Sequence, residues 1–395
     1  MTAATATSQP VPQPALAKPA RMLSLDVLRG LTIGFMIMVN NNGDGNLAYW
    51  AMKHAAWNGF TPTDLVFPTF LFLVGVSTVF STQARLAQGA TRQSIFVHTV
   101  RRTVILYLLG LVVNSFPFFH LATMRFYGVL PRIAICYFFV ATLYLLAPGW
   151  KDKVALTVAA LIGYWLLMRF VPVPGFGLPG RDVPLLDHDG NLVAWLDRQI
   201  FSAPHLYERT RDPEGLLSTL PALATALIGL LAGLWLRTRH TLQEKARGVV
   251  IAGISGIVLG GIWNIWFPIN KKLWTSSYVL FAAGLSLVLL ALSIWVVDIR
   301  GQKDADPTLR SRRFMPLLVF GANAIVAYVL SELLPGVFEN IHVSPGISVL
   351  HWCYLSILKI VPDPAFASLL YSFAYAGVCW IPMYLLYRKR IFIKI

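Results

Sequence analysis

His54 and Asp64 stand ten residues apart at the edge of two long apolar runs, with Trp57, Asn58, Gly59 and Pro62 between them. Turn-forming residues in that interval can fold the carboxylate back onto the imidazole. A histidine oriented by a carboxylate is a general base that works near neutral pH, because the carboxylate stabilises the imidazolium formed on proton uptake. The same pair also fits a solvent-exposed loop histidine and an aspartate capping a helix N-terminus, and spacing alone leaves both readings open. Just upstream, Asn40, Asn41 and Asn42 precede Gly43-Asp44-Gly45. An amide there can hold a carbonyl or a sugar hydroxyl, or the run can simply stop a helix.

Arginines inside apolar runs are the second chemical signal. Asp26 and Arg29 are three apart and neutralise one another most simply, whereas Arg132 follows Gly128 and Pro131 with no opposite charge near it in sequence. An arginine at that depth needs an anionic partner, from protein or from a ligand phosphate. Asp212 and Glu214 introduce a further apolar run, where acids suit the positive end of a helix dipole. The familiar phosphate-loop, dinucleotide, zinc-protease and nucleophile-elbow motifs are absent, so ATP hydrolysis, Rossmann-type binding and zinc chemistry have no motif support. Cys136, Cys353 and Cys379 have neither metal-ligand spacing nor a disulfide framework, and no metal is expected.

The elements that must position these residues are membrane helices. Of 395 residues 56% are hydrophobic and 13% charged, too few charges to cover a soluble domain of this length. Apolar runs near 22–40, 64–82, 99–116, 126–147, 153–171, 215–236, 248–267, 274–298, 315–335 and 365–387 predict an all-α, polytopic transmembrane bundle of about ten spanning helices. The net charge of +15 collects at alternate ends of these runs, as the positive-inside rule requires, and needs no nucleic-acid partner. That pattern puts both termini in the cytoplasm and demands an even number of crossings. The short apolar segment near 345–360 is therefore expected not to span. Residues 1–20 read as a disordered cytoplasmic tail and 21–395 as one domain, with extracytoplasmic loops at 41–63 and 172–214. Gly229 with Gly233 and Gly256 with Gly260 predict close helix contacts.

The blocks at 21–40, 53–68 (KHAAWNGFTPTDLVFP), 128–138 (GVLPRIAICYF), 212–222 (DPEGLLSTLPA), 268–280 (PINKKLWTSSYVL) and 320–329 resemble the heparan-alpha-glucosaminide N-acetyltransferase family, most closely its bacterial branch. The resemblance implies a transmembrane acetyltransferase that moves an acetyl group from cytosolic acetyl-CoA to the amine of glucosamine or a related amino sugar on the opposite face. It implies location in a bacterial inner membrane, and it is compatible with a homodimer. His54 matches the family's active histidine, Asp64 its DLVFP aspartate, and Asn40 the asparagine closing its first helix. On this reading Arg29, Arg101, Arg102 and Arg132 are expected to hold the phosphates of CoA at a cytosolic mouth. Trp57, Asn58, Lys272 and Trp274 are expected to contact the sugar. The competing expectation is an amino-sugar permease without chemistry.

Overall fold

The computed structural model describes residues 22–147, 149–303 and 311–393, so the segment read as a disordered tail lies outside the described residues. In chain order the long helices are α1 (Leu23–Asn40), α2 (Val66–Ala87), α3 (Arg92–Ser115), α4 (Val129–Leu146) and α5 (Trp150–Phe170). A short α6 (Leu192–Ile200) precedes α7 (Thr219–Leu236), α8 (Leu242–Trp263) and α9 (Ser276–Ser293), which continues through a wider turn to Ile299. Then come α10 (Met315–Ala322), α11 (Ala324–Phe338), α12 (Val349–Ile360) and α13 (Pro364–Arg388). Among the described residues nine helices are long and apolar enough to cross a membrane, or ten if the bent pair α10 and α11 counts as one span.

The pair α10 and α11 departs from the uninterrupted run expected at 315–335, because it bends by 82° at Asn323. The buried Asn323 side chain serves other backbone: its amide donates to the Ile391 carbonyl at 3.1 Å and its oxygen accepts from the Ile393 N–H at 2.9 Å. Here the two halves part. α10 crosses α1 where Gly30 faces Gly321, and a Cβ on either would overlap the other helix's backbone. Glycine is required at that contact. The same logic joins α2 to α7 through Gly75 and Gly229, and α8 to α9 through Gly256 and Gly284.

Burial orders the helices into layers. The spanning window of α2 is 72% buried, whereas those of α3 and α8 are 22% buried, so α2 is central and α3 and α8 face lipid. Both outer helices start before the apolar run begins. Thr91 accepts from the Ser94 N–H, and Thr241 forms a capping box with Glu244, so local caps extend each helix into polar sequence.

The 345–360 segment is α12, whose 12 residues reach about 18 Å, short of a bilayer core of roughly 30 Å. A small hairpin of β1 (His342–Ser344) with β2 (Ile347–Ser348) leads into it. The long polar stretch after α5 is folded. Val173, Leu186, Leu192 and Val193 pack with Tyr164, Phe267 and Leu273 into a cap over the end of the bundle that carries His54.

Candidate active site

Pro62 opens a short 3-10 turn (Pro62–Leu65) that runs straight into α2, and this places Asp64 at the top of the most buried helix, fully enclosed. One carboxylate oxygen, Oδ1, lies 2.7 Å from His54 Nδ1; the other accepts from the Ala55 and Thr61 N–H groups at 3.1 and 3.0 Å. Three neighbours thus fix the carboxylate from its own loop, and Tyr278 anchors the turn by donating to the Asp64 carbonyl at 2.7 Å. An ionised carboxylate only accepts, so the proton of the imidazole sits on Nδ1 and the lone pair on Nε2. Burial holds the imidazole below its usual value; the Asp64 hydrogen bond pulls it up and the Lys271 charge pushes it down again. The ring is therefore neutral near pH 7 with 42% of its side chain open, the state a general base requires.

What faces Nε2 is Lys271, whose Nζ is 3.3 Å away. Its loop is tied at both ends. Gly59 donates to the Ile269 carbonyl at 2.8 Å, Asn270 donates to Asn58 at 3.1 Å, and Asn270 Oδ1 accepts from the Leu273 N–H at 2.9 Å. The turn closes with Trp274 at φ 53°, a left-handed conformation rarely taken by a bulky residue and held here by packing on every side.

Behind the pair lies a buried charge cluster. Arg125 grips Asp212 through two bonds of 2.7 and 2.5 Å and reaches Glu214 at 2.5 Å. Burial favours the neutral form of Glu214, yet Arg125, Arg132 and Lys271 hold its carboxyl below the usual range. Arg132, fully enclosed, donates to the Gly215 carbonyl at 3.1 Å and the Ser218 hydroxyl at 2.5 Å, while its Nε and Nη1 have no hydrogen-bond partner. Nearby, Asp197 accepts from the Leu216 N–H at 3.0 Å through one oxygen, and burial pushes this carboxyl up to about 7.

At the opposite end of the bundle a cavity of about 710 Å³ opens among α1, α2, α3, α4 and α11. Arg29, Arg85, Arg102 and Arg237 line it, with Asp26 as the acid. Arg102 lies 4.6 Å over the Tyr137 ring with a buried Nε that has no hydrogen-bond partner, and Arg29 bonds Asp26 and Ser77. Along α2 the lining runs from Arg85 up to Phe70, about 22 Å at 1.5 Å per residue, and stops about 10 Å short of Asp64. Between them stand Phe67, Trp274 and Tyr278, in edge contacts of 5.0 and 5.3 Å. Polar groups thus occupy both ends of the bundle, with this aromatic wall between them.

A sequence profile described as heparan-alpha-glucosaminide N-acetyltransferase, catalytic, matches residues 21–256. The chain belongs to this family. It is 29% identical over 432 aligned positions to heparan-alpha-glucosaminide N-acetyltransferase of Homo sapiens, covering 96% of this chain and 60% of that protein. The mouse protein of the same name is 29% identical over 428 positions, 95% of this chain and 60% of its own length. The chain thus spans about 60% of the length of the curated relatives it matches.

The structure brings His54 and Asp64 together and places the other expected residues in several different surroundings. Asn40 donates its amide to Glu332 of α11 at 3.1 Å. Trp57 donates to the Leu186 carbonyl at 2.8 Å and stacks on His188 at 3.9 Å, fastening the loop to its cap, while Asn58 accepts from Asn270 and ties it to the turn that carries Lys271. Lys272 pairs with Glu208 at 3.0 Å; the residue at His54 is its neighbour Lys271. Trp274 is fully buried under Arg132, at 5.1 Å, and donates to Thr225, which corrects its placement as an outer-loop contact. Arg132 belongs to the His54 end, because α4 starts there and Arg132 is in its first turn, so it cannot serve the other mouth. Arg101 is exposed on α3 outside the cavity lining, whereas Arg29 and Arg102 line it. Lys271 shares the loop in which either lysine could contact substrate or anchor the interface, and Arg85, Arg125 and Arg237 are the additions. Arg85 and Arg237 were legible as charges at helix ends; Arg125 had no signal beyond being a cation in a turn.

Proposed function

We propose that the chain is a membrane N-acetyltransferase that takes acetyl groups from acetyl-CoA at the arginine-lined end and passes them to the amine of glucosamine or a related amino sugar at the His54 end. The observation that carries this reading is the half-exposed imidazole, held by Asp64 at 2.7 Å through Nδ1 so that Nε2 is left to act as the base. The names of the relatives, which speak of an alpha-glucosaminide, support an amino sugar as acceptor. The basic end suits the cytoplasmic face of a bacterial inner membrane, with both chain ends on that side.

The donor set fits the coenzyme's phosphates. Arginine matches phosphate geometry, and the buried, unpartnered Nε of Arg102 in the cavity wall is a donor awaiting an acceptor. The pantetheine arm would follow the cavity along α2 toward Phe70, and the thioester would meet the acceptor beyond the Phe67–Trp274–Tyr278 wall. There Nε2 takes a proton from the amine as its nitrogen attacks the acetyl carbonyl carbon, and as the C–S bond breaks Nε2 returns that proton to the sulfur, which leaves as the CoA thiol. Asp64 steadies the imidazolium in between. Transfer is direct on this reading, with no acyl-enzyme required.

The test is purified chain in detergent with labelled acetyl-CoA and glucosamine. Native protein forms acetylglucosamine, His54→Ala loses roughly 10²–10⁴ of the rate, and Arg102→Ala raises KM for acetyl-CoA roughly tenfold or more. Sugar acetylation at equal rate in native and His54→Ala protein would remove the assignment. Uptake of unmodified sugar by reconstituted vesicles without acetyl-CoA would favour a permease instead.

A further inference from the structure

A general base abstracts the proton of whatever donor sits on its lone pair. At His54 that lone pair is on Nε2, because Nδ1 is spent on Asp64, and the group found on Nε2 is the Lys271 amine at 3.3 Å. We propose that Lys271 is an internal acetyl acceptor: when no amino sugar is bound, its side-chain nitrogen takes the acetyl group and becomes Nε-acetyllysine. The inference rests on the transferase reading above and adds a modification site to it.

Three observations support it. No loop movement is needed to deliver the lysine, since the Ile269–Thr275 turn is hydrogen-bonded to the very loop that carries His54. The surroundings also favour a nucleophilic amine. Burial pushes Lys271 below its usual value; the carboxylates of Glu214 and Asp64 oppose this, while Lys272 and Arg132 add to it, and the net direction is down. Finally, the adjacent lysine is a built-in contrast. Lys272 is paired with Glu208 at 3.0 Å and faces Trp57, so only one of the two consecutive lysines addresses the base.

The step balances as an ordinary aminolysis. The Lys271 ammonium gives one proton to Nε2, which passes it to solvent, and the free amine then attacks the acetyl carbonyl carbon. A second proton leaves the nitrogen by way of Nε2 for the departing sulfur as the C–S bond breaks, so acetyl-CoA becomes CoA thiol and one N–H remains in the amide. The product has lost its charge and occupies the acceptor's place at the imidazole. Turnover would therefore be self-limiting when donor is plentiful and acceptor scarce, and an incoming amino sugar would protect the enzyme by displacing Lys271 from Nε2.

The full chain in detergent is incubated with labelled acetyl-CoA, with and without excess glucosamine. Peptide mass spectrometry then reads Lys271 and Lys272 while acetylglucosamine is measured in parallel. Label is expected on Lys271 and not on Lys272, lowered by glucosamine and reduced roughly 100-fold in His54→Ala. Lys271→Arg, which keeps the charge, carries no label at this position. Acetylated sugar with Lys271 unlabelled overturns this inference and leaves the transferase reading standing. Label on Lys271 without any acetylated sugar upholds the inference and removes amino sugars as acceptors. Equal label on both lysines that persists in His54→Ala shows non-enzymic acetylation and overturns it, and no product of either kind overturns both readings.

Discussion

Replacing Asp64 by asparagine tests the site most sharply, because the two side chains have nearly the same shape and differ in what they can accept. In the native site Oδ2 takes two backbone N–H groups, from Ala55 and Thr61, while Oδ1 takes the imidazole Nδ1–H. An asparagine has a single oxygen. Directed at the two backbone donors, it preserves the loop but sets its NH2 against Nδ1, which must then give up its proton and carry the lone pair instead. The proton moves to Nε2, and the face that should receive the acceptor's proton has none to receive it with. Loss of the base costs roughly 10²–10⁴ in rate, or about 3–5 kcal/mol of barrier. The assay is acetyl transfer from labelled acetyl-CoA to glucosamine, with thermal unfolding of the same sample to show that the two backbone bonds keep the fold. A folded Asp64→Asn protein whose rate stays within about threefold of native would refute the tautomer argument, since so small a loss is under about 1 kcal/mol.

Further outcomes are fixed by the charges around the site. His54 must be neutral to act, and burial holds it below 6.5, so the acid limb of kcat/KM should fall below that value; Lys271→Met, which removes a charge depressing it, should move the limb upward in a pH–rate profile. Arg125→Met leaves Asp212 and Glu214 buried without their cation and should lower stability by about 3–5 kcal/mol in thermal or chemical unfolding. Asp197, pushed up to about 7 by burial, favours the folded state most at low pH and loses that contribution as pH rises from 3.8 toward 7. Between pH 5 and pH 8 this single group should therefore cost the native protein about 3 kcal/mol, and Asp197→Asn should flatten that part of the stability profile.

Hydropathy and charge determined the bundle. A run of apolar residues long enough to cross a bilayer has few alternatives to a helix, because unpaired backbone in lipid is prohibitive, and the clustering of arginines at alternate ends predicts an even number of crossings. Parity of the crossings set 345–360 aside as a span, and the 12-residue length of α12 agrees. The pairing of His54 with Asp64 was also within reach, since their contact is local, ten residues apart across a turn. Contacts between distant segments were not. Lys271 meets His54 across 217 residues, and nothing in the dipeptide Lys271-Lys272 distinguishes the lysine that faces the imidazole from the one that pairs with Glu208. Arg132 finds its carbonyl and hydroxyl partners 83 and 86 residues away, so its need for a partner could be stated from sequence but not satisfied. The bend at Asn323 likewise depends on backbone 68 and 70 residues downstream. Local physics along the chain sets which segments are helices and where each enters the membrane; which side chains share a pocket is set by how the helices pack, and that choice belongs to the three-dimensional arrangement of the whole bundle.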